Sequence, residues 1–268
     1  DRDALLSHHG CVDLVNQIAI PRRAEDRLRL FPQRELHGIE PEFFLLKQVG
    51  ARWLPADDLD RLAKPSYDLK SLPRQRGFLQ ALQQALEACG LDVLQIDHED
   101  AHGQYELNVG HDEVLASADH LMLFKLAAHA LAESHGMTFS MMPKPFANQP
   151  GSGMHFHVSL CNSLLNNYFS SHDLHQPSPT LLKAITGLIE LMPASMAILA
   201  PNINSYRRFQ IGQHVPLEAN WNINNRNVAI RLPCSDQQNQ RFEYRVAGAD
   251  CNPYLTVAII LTGLLYGL

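Results

Sequence analysis

A strict two-residue alternation runs through Gly151–Leu160, and it constrains the fold more than any other stretch of this chain. Gly153, His155, His157 and Ser159 fall on one face of an extended segment. Met154, Phe156, Val158 and Leu160 fall on the other. Such a pattern suits a strand with one face on a core and the other on a polar space. Two imidazoles in register on one face bind a metal or anionic oxygens, and glycines ahead of them let a ligand approach the backbone. A lone histidine would more simply be a core residue satisfied by hydrogen bonds. This pair is not alone, because the alternation recurs with charged residues. In Gly38–Leu46, Glu40 and Glu42 share a face opposite Phe43 and Leu45. Neighbouring carboxylates repel unless a cation lies between them. In Arg241–Arg245, Arg241, Glu243 and Arg245 share a face, which suits either an ion-pair ladder or the planar recognition of an anion.

Composition narrows the class. A chain of 268 residues, 46% hydrophobic and 19% charged, has the make-up of a soluble globular protein with one sizeable core or two domains. Its net charge of -6 gives no reason to expect nucleic acid or a membrane as a partner. No signal peptide opens the sequence, and no apolar run reads as a membrane span. Cys11, Cys89, Cys161, Cys234 and Cys251 are scattered and never in CxxC spacing, so they read as reduced, mostly buried thiols of a cytoplasmic protein. The 14 histidines favour a metal or acid–base site.

Helical periodicity marks Ser71–Cys89, with Ser71 as N-cap, Phe78, Leu79, Leu82 and Leu86 as the apolar stripe, and Gly90 as the stop. Ser117–His135 follows, ending at Gly136. Ser178–Ala200 has Ser178 as N-cap with Pro179 in the first helical position. A last apolar helix runs from Asn252–Leu255 to Leu268, and Gly10–Val15 reads as a strand. Glu99 and Glu106 are an odd number of residues apart and face opposite ways on a straight strand. A turn at His102–Gly103 is needed to bring them together.

Glu40, Glu42, Glu99, Glu106, Glu243 and His155 form an oxygen-dominated donor set, which suits Mg²⁺ or Mn²⁺ rather than structural zinc. With Arg208, Arg226, Arg231, Arg241 and Arg245, the residues describe a metal-dependent phosphoryl-transfer site on an antiparallel sheet. No Walker loop, kinase signature or HExxH motif is present.

The same stretches resemble the glutamine synthetase family. Glu40–Phe44 is similar to its EPEFF strand, Gly103–Glu106 to its GQxE motif, Met142–Pro145 to MPKP and Gly151–His157 to GSGMHxH. Asn204–Arg208, Asn225–Arg226, Arg241–Arg245 and Asn252–Leu255 follow in the family's order, so the match covers the chain from about Gly38 to its end. The resemblance implies an α+β fold: a catalytic domain over 38–268 with an antiparallel half-barrel sheet backed by helices. Residues 1–37 would be a remnant of an N-terminal β-grasp region and linker, most of which is missing. It also implies ATP and Mg²⁺ (or Mn²⁺) as cofactors, L-glutamate as a substrate, and a homo-oligomer, a dodecamer of two hexameric rings. By the same resemblance Glu42, Glu99 and Glu106 would hold one cation, and Glu40, His155 and Glu243 the other. His157 and Arg231 would touch ATP, with Arg241 on the nucleotide side. Arg208 and Arg245 would grip glutamate, Gly151 would lie near its amino end, and Arg226 would stabilise the transferring phosphoryl group.

Two departures shape the functional expectation. The stretch before Glu40 is too short for the family's N-terminal domain and the chain ends early, so the sequence reads as a piece of a longer protein. In the flap segment Phe209–Pro216, His214 stands where the family has a glutamate that takes a proton from ammonium. Arg207–Gln210 and Tyr244–Asp250 are more like the γ-glutamylpolyamine (glutamylputrescine) synthetase branch. The expected activity is therefore ATP-dependent γ-glutamylation of a small amine, with Arg226 and His214 as catalytic residues. An ammonium-using glutamine synthetase and a non-catalytic family member are the alternatives.

Overall fold

The computed structural model describes residues 33–268, apart from 163, 174 and 175. The expected strand at Gly10–Val15 and Cys11 lie outside the described residues. In chain order the first elements are β1 (Gln33–Val49), β2 (Arg52–Pro55), α1 (Ser71–Arg74), α2 (Arg76–Ala88), β3 (Val93–His98) and β4 (Gln104–Val109). Then come β5 (Asp112–Glu113), α3 (Val114–Ser134), β6 (Thr138–Ser140), β7 (Met154–Asn162), α4 (Pro179–Leu199) and α5 (Ile203–Tyr206). The chain closes with β8 (Trp221–Ile223), β9 (Ile230–Leu232), β10 (Phe242–Tyr244) and α6 (Pro253–Gly267).

These elements form two compact units. Phe43–Gly110 and Asp119–Ser140 make one; Gln33–Glu42, His111–Ala118 and Met141–Leu268 make the other. In the first, the distal half of β1 pairs antiparallel with β2 and β6, and β3 pairs with β4. Phe43 is fully buried among Phe78, Tyr105, Phe124 and Phe139, at ring-centroid distances of 5.2–6.5 Å. Phe78, Leu79, Leu82 and Leu86 are buried, as their spacing requires. The helix itself is broken at Gln75, and Ser71 is its first residue rather than its N-cap; Asp68, two residues ahead of the N-cap Lys70, accepts from the Ser71 amide at 3.1 Å and the Ser71 hydroxyl at 2.7 Å. Helix α3 starts three residues earlier than its periodicity indicates and ends at Ser134, with Gly136 at φ +70° as the left-handed stop just beyond it.

In the second unit the proximal half of β1 pairs with β7, β7 with β10, and β10 with β9, all antiparallel. The outermost pair, β8 with β9, is parallel, so this sheet is mixed where a purely antiparallel one was expected. Met154, Phe156, Val158 and Leu160 are buried, which places His155 and His157 on the opposite face. Ser178 accepts from the Leu181 amide at 3.2 Å, with Pro179 at the start of α4. Asn252 accepts from the Leu255 amide at 3.2 Å to open α6. Helix α4 is long and apolar enough by composition to cross a membrane. Its buried Leu181, Ala184, Ile185, Leu188 and Met192 follow helical spacing, the mark of a core helix. Among the described residues Cys89, Cys161, Cys234 and Cys251 form no disulfide; two are buried, Cys89 is half-buried and Cys234 is exposed.

Candidate active site

Register builds the centre of the site in the second unit. Glu40 of β1 pairs with His155 of β7, and Glu243 of β10 pairs with His157 on the other side of β7. His155 Nδ1 lies 3.6 Å from Glu40 Oε2 and 3.8 Å from Glu243 Oε1, while its Nε2 lies 3.8 Å from Glu42 Oε1. These gaps are too wide for hydrogen bonds. Adjacent ligand atoms around an octahedral ion with bonds of about 2.1 Å are separated by about 3 Å, so a small shift would close this set on a cation. Glu40, His155 and Glu243 each offer one donor atom, all within 4.8 Å of one another. The three residues fit a divalent ion of the Mg²⁺ or Mn²⁺ type, and Glu42 adds a carboxylate beside the same imidazole.

Electrostatics keeps Glu40 and Glu243 ionised. Burial opposes the charge on Glu40, but His155 and His157 outweigh it and hold its pKa far below the ordinary carboxylate range. Burial likewise opposes the charge on Glu243, and Arg245 with the two histidines overcomes it. Arg241 Nε donates to His157 Nδ1 at 2.9 Å, so Nδ1 carries the lone pair. The proton then resides on Nε2, 2.8 Å from Glu40 Oε1.

The arginines divide into distinct roles. Arg231 donates to Glu243 at 2.9 Å and to Asn224 Oδ1 at 2.8 Å, and Arg245 donates to the same Glu243 carboxylate. Glu243 is thus paired across strands with Arg231, its register partner, and along the strand with Arg245. Arg241 instead turns to His157. Arg208 differs again: the residue is 2% exposed, and its guanidinium donates to the carbonyls of Val246 and Arg245 at 2.9 Å each. Among the described residues no acid pairs with it, and burial lowers its pKa to about 10. A Cβ on Gly153 would lie 3.0 Å from both Arg208 and His155, and one on Gly151 would strike the Pro143 carbonyl at 2.3 Å. Both glycines therefore permit close packing that a side chain would block.

His214 is exposed, at φ +51°, and its Nδ1 lies 3.2 Å from Asn227 Oδ1, which leaves the lone pair on Nε2. Arg245 donates to the His214 carbonyl at 3.4 Å and to the Arg226 carbonyl at 3.2 Å, and the Arg226 side chain is exposed.

Glu99 and Glu106 belong to the first unit. Asp97 pairs with Glu106, and the Glu99 amide donates to Gln104, so the turn at His102–Gly103 puts both glutamates on one hairpin face. Gly103, at φ +69°, makes that turn. Sequence reasoning missed the support beneath it: Asp60 Oδ2 lies 2.7 Å from His98 Nε2 and accepts from the Gly103 amide at 2.6 Å. Lys144 in Met142–Pro145 and Asn204 in Asn204–Arg208 carry no role legible in the sequence.

Residues 19–268 match the glutamine synthetase catalytic domain. The chain belongs to the glutamine synthetase family. Within it, the chain is 46% identical over 263 residues to γ-glutamylputrescine synthetase PuuA of Escherichia coli, covering 92% of this chain and 55% of that one. It is 41% identical over 236 residues to glutamate–methylamine ligase of Methyloversatilis universalis, covering 85% and 52%. The solved GmaS–ADP complex superposes with a TM-score of 0.80 at 32% identity, covering 89% of this chain and 56% of that one. Plasmodium falciparum glutamine synthetase, 22% identical with a TM-score of 0.76 over 90% and 53%, shares the fold. The chain spans about half the length of the curated relatives it matches.

Proposed function

We propose that the whole protein is a cytoplasmic ATP-dependent glutamate–amine ligase. The observation that carries this reading is the His155 imidazole set among three carboxylates at 3.6–3.8 Å. That donor set would hold a divalent cation, which supplies charge neutralisation for phosphate oxygens. Glu99 and Glu106 are proposed as further cation ligands. Arg208, a buried cation that no acid pairs with among the described residues, would receive the carboxylate of L-glutamate, with the Gly151 backbone near its amino end. Arg245 would help grip glutamate, while His157, Arg231 and Arg241 would line the nucleotide side. A γ-carboxylate oxygen of glutamate would attack the terminal phosphorus of ATP, and ADP would leave. The amine nitrogen would then attack the acyl carbon and expel phosphate, giving the γ-glutamylamide. Arg226 would offset charge on the transferring phosphoryl group, and His214 Nε2 would take the amine proton.

Likeness to the two amine ligases, and an imidazole rather than a carboxylate at position 214, favour an alkylamine over ammonium. A neutral ring supplies no negative charge to hold a small cation, whereas an alkyl chain gains about 0.8 kcal/mol per buried methylene. ADP release by the full-length protein with glutamate and a panel of amines tests the reading. ADP formation that needs both glutamate and an alkylamine is the expected result; ADP formation indifferent to both would refute it.

A further inference from the structure

The side chain of Asn204 completes a two-bond ring on the backbone of Lys144. The Lys144 amide donates to Asn204 Oδ1 at 2.8 Å, and Asn204 Nδ2 donates to the Lys144 carbonyl at 2.9 Å. A neighbouring strand would make the same pattern; here one amide side chain makes it from 60 residues away.

Each end of this link leads to a residue proposed to hold glutamate. On the Lys144 side, the lysine is 4% exposed and its ammonium donates to the Gln149 carbonyl. The Ser152 amide donates to the Pro143 carbonyl at 2.8 Å, the same oxygen that leaves no room for a Cβ on Gly151. The segment from Pro143 to Ser152 is therefore held in one arrangement around Gly151. On the Asn204 side, Asp250 Oδ2 accepts from Asn202 Nδ2 at 2.8 Å and from Ser205 Oγ at 2.7 Å, which anchors α5. The turn after α5 delivers Arg208, whose Cγ would be 3.1 Å from a Cβ on Gly151. Asn204 thus joins the loop that presents Gly151 to the turn that presents Arg208.

We propose that Asn204 is a positioning residue that sets the affinity for glutamate by fixing the Gly151 backbone against the Arg208 guanidinium, without touching the substrate itself. The inference rests on the functional reading above. Replacing Asn204 by Asp keeps the acceptor for the Lys144 amide but turns the donor into an oxygen facing the Lys144 carbonyl. Glutamate binding to full-length Asn204→Asp should weaken about 10- to 100-fold by calorimetry, the scale of leaving a buried acceptor unpaired in the link that sets Gly151 against Arg208. KM for glutamate should rise in step, while KM for ATP stays within about twofold, since a folding defect would move both. Should Asn204→Asp not fold, Asn204→Ala, which removes both bonds without adding charge, carries the same test. Native-like glutamate binding in a folded variant, or equal losses for glutamate and ATP, would overturn the inference. A native protein that binds no glutamate at all would instead overturn the functional reading beneath it.

Discussion

Glu243 is 1% exposed, and its carboxylate meets the guanidinium groups of Arg231 and Arg245 while facing His155. Glu243→Ala would leave two partly or wholly buried guanidinium groups without their counter-charge. Breaking one partner out of a buried ion pair costs about 3–5 kcal/mol. The variant should therefore lose both catalytic turnover and thermal stability, read by amine-dependent ADP release and by the melting temperature; near-native activity would remove Glu243 from the proposed ligand set. Asp60 gives a prediction with a definite sign in pH. Burial works against its charge, but His98 and the Gly103 amide overcome it, so its folded pKa is below the ordinary 3.8. Its contribution is fully present above the unfolded value and disappears as pH falls through the lower folded one. Asp60→Asn should lower the melting temperature near neutrality and flatten its fall below about pH 4; a variant with the native acid profile would contradict this. The alternation in Gly151–Leu160 and Gly38–Leu46 made Glu40, Glu42 and His155 legible, because a strand's faces follow from parity alone. The pairing of Glu243 with Arg231 was not legible, since it depends on the register of β9 with β10. Asp60 was hidden for a similar reason: it meets His98 only through a contact 38 residues apart.

Helices α4 and α6 pack so closely that their glycines leave no space for side chains. A Cβ on Gly187 would lie 2.2 Å from the Gly263 carbonyl, and one on Gly267 would lie 2.1 Å from the Lys183 carbonyl. Gly187→Ala should destabilise the unit that carries Glu40, His155 and Glu243 by about 1–3 kcal/mol, the usual cost of overpacking, measured by urea denaturation. An unchanged midpoint would show that the helices can separate without loss. The boundaries of α4 and the start of α6 were legible because Ser178–Pro179 and Asn252–Pro253 combine a capping side chain with a proline at the first helical turn. The break at Gln75 was not, because the whole apolar stripe of Phe78, Leu79, Leu82 and Leu86 lies on one side of it. The parallel pairing of β8 with β9 also escaped the sequence. Both strands have three residues, too few for alternation to reveal direction.

At the scale of the whole molecule, the chain carries the catalytic fold of a family whose curated relatives here are about twice its length. The intact protein is expected to be a large homo-oligomer, a dodecamer of two hexameric rings by resemblance, with activity that depends on assembly. Light scattering across a dilution series tests this: activity should fall as subunits dissociate, and a fully active dilute monomer would contradict it. Amine choice separates a glutamate–amine ligase from a glutamine synthetase. The decisive measurement is kcat/KM for an alkyl mono- or diamine divided by that for ammonium, with glutamate and ATP saturating, in the native full-length protein and in His214→Glu. The expected ratio is well above one in the native protein and falls in the variant, as a carboxylate restores a hold on ammonium. A native ratio at or below one would contradict it and make this protein a glutamine synthetase.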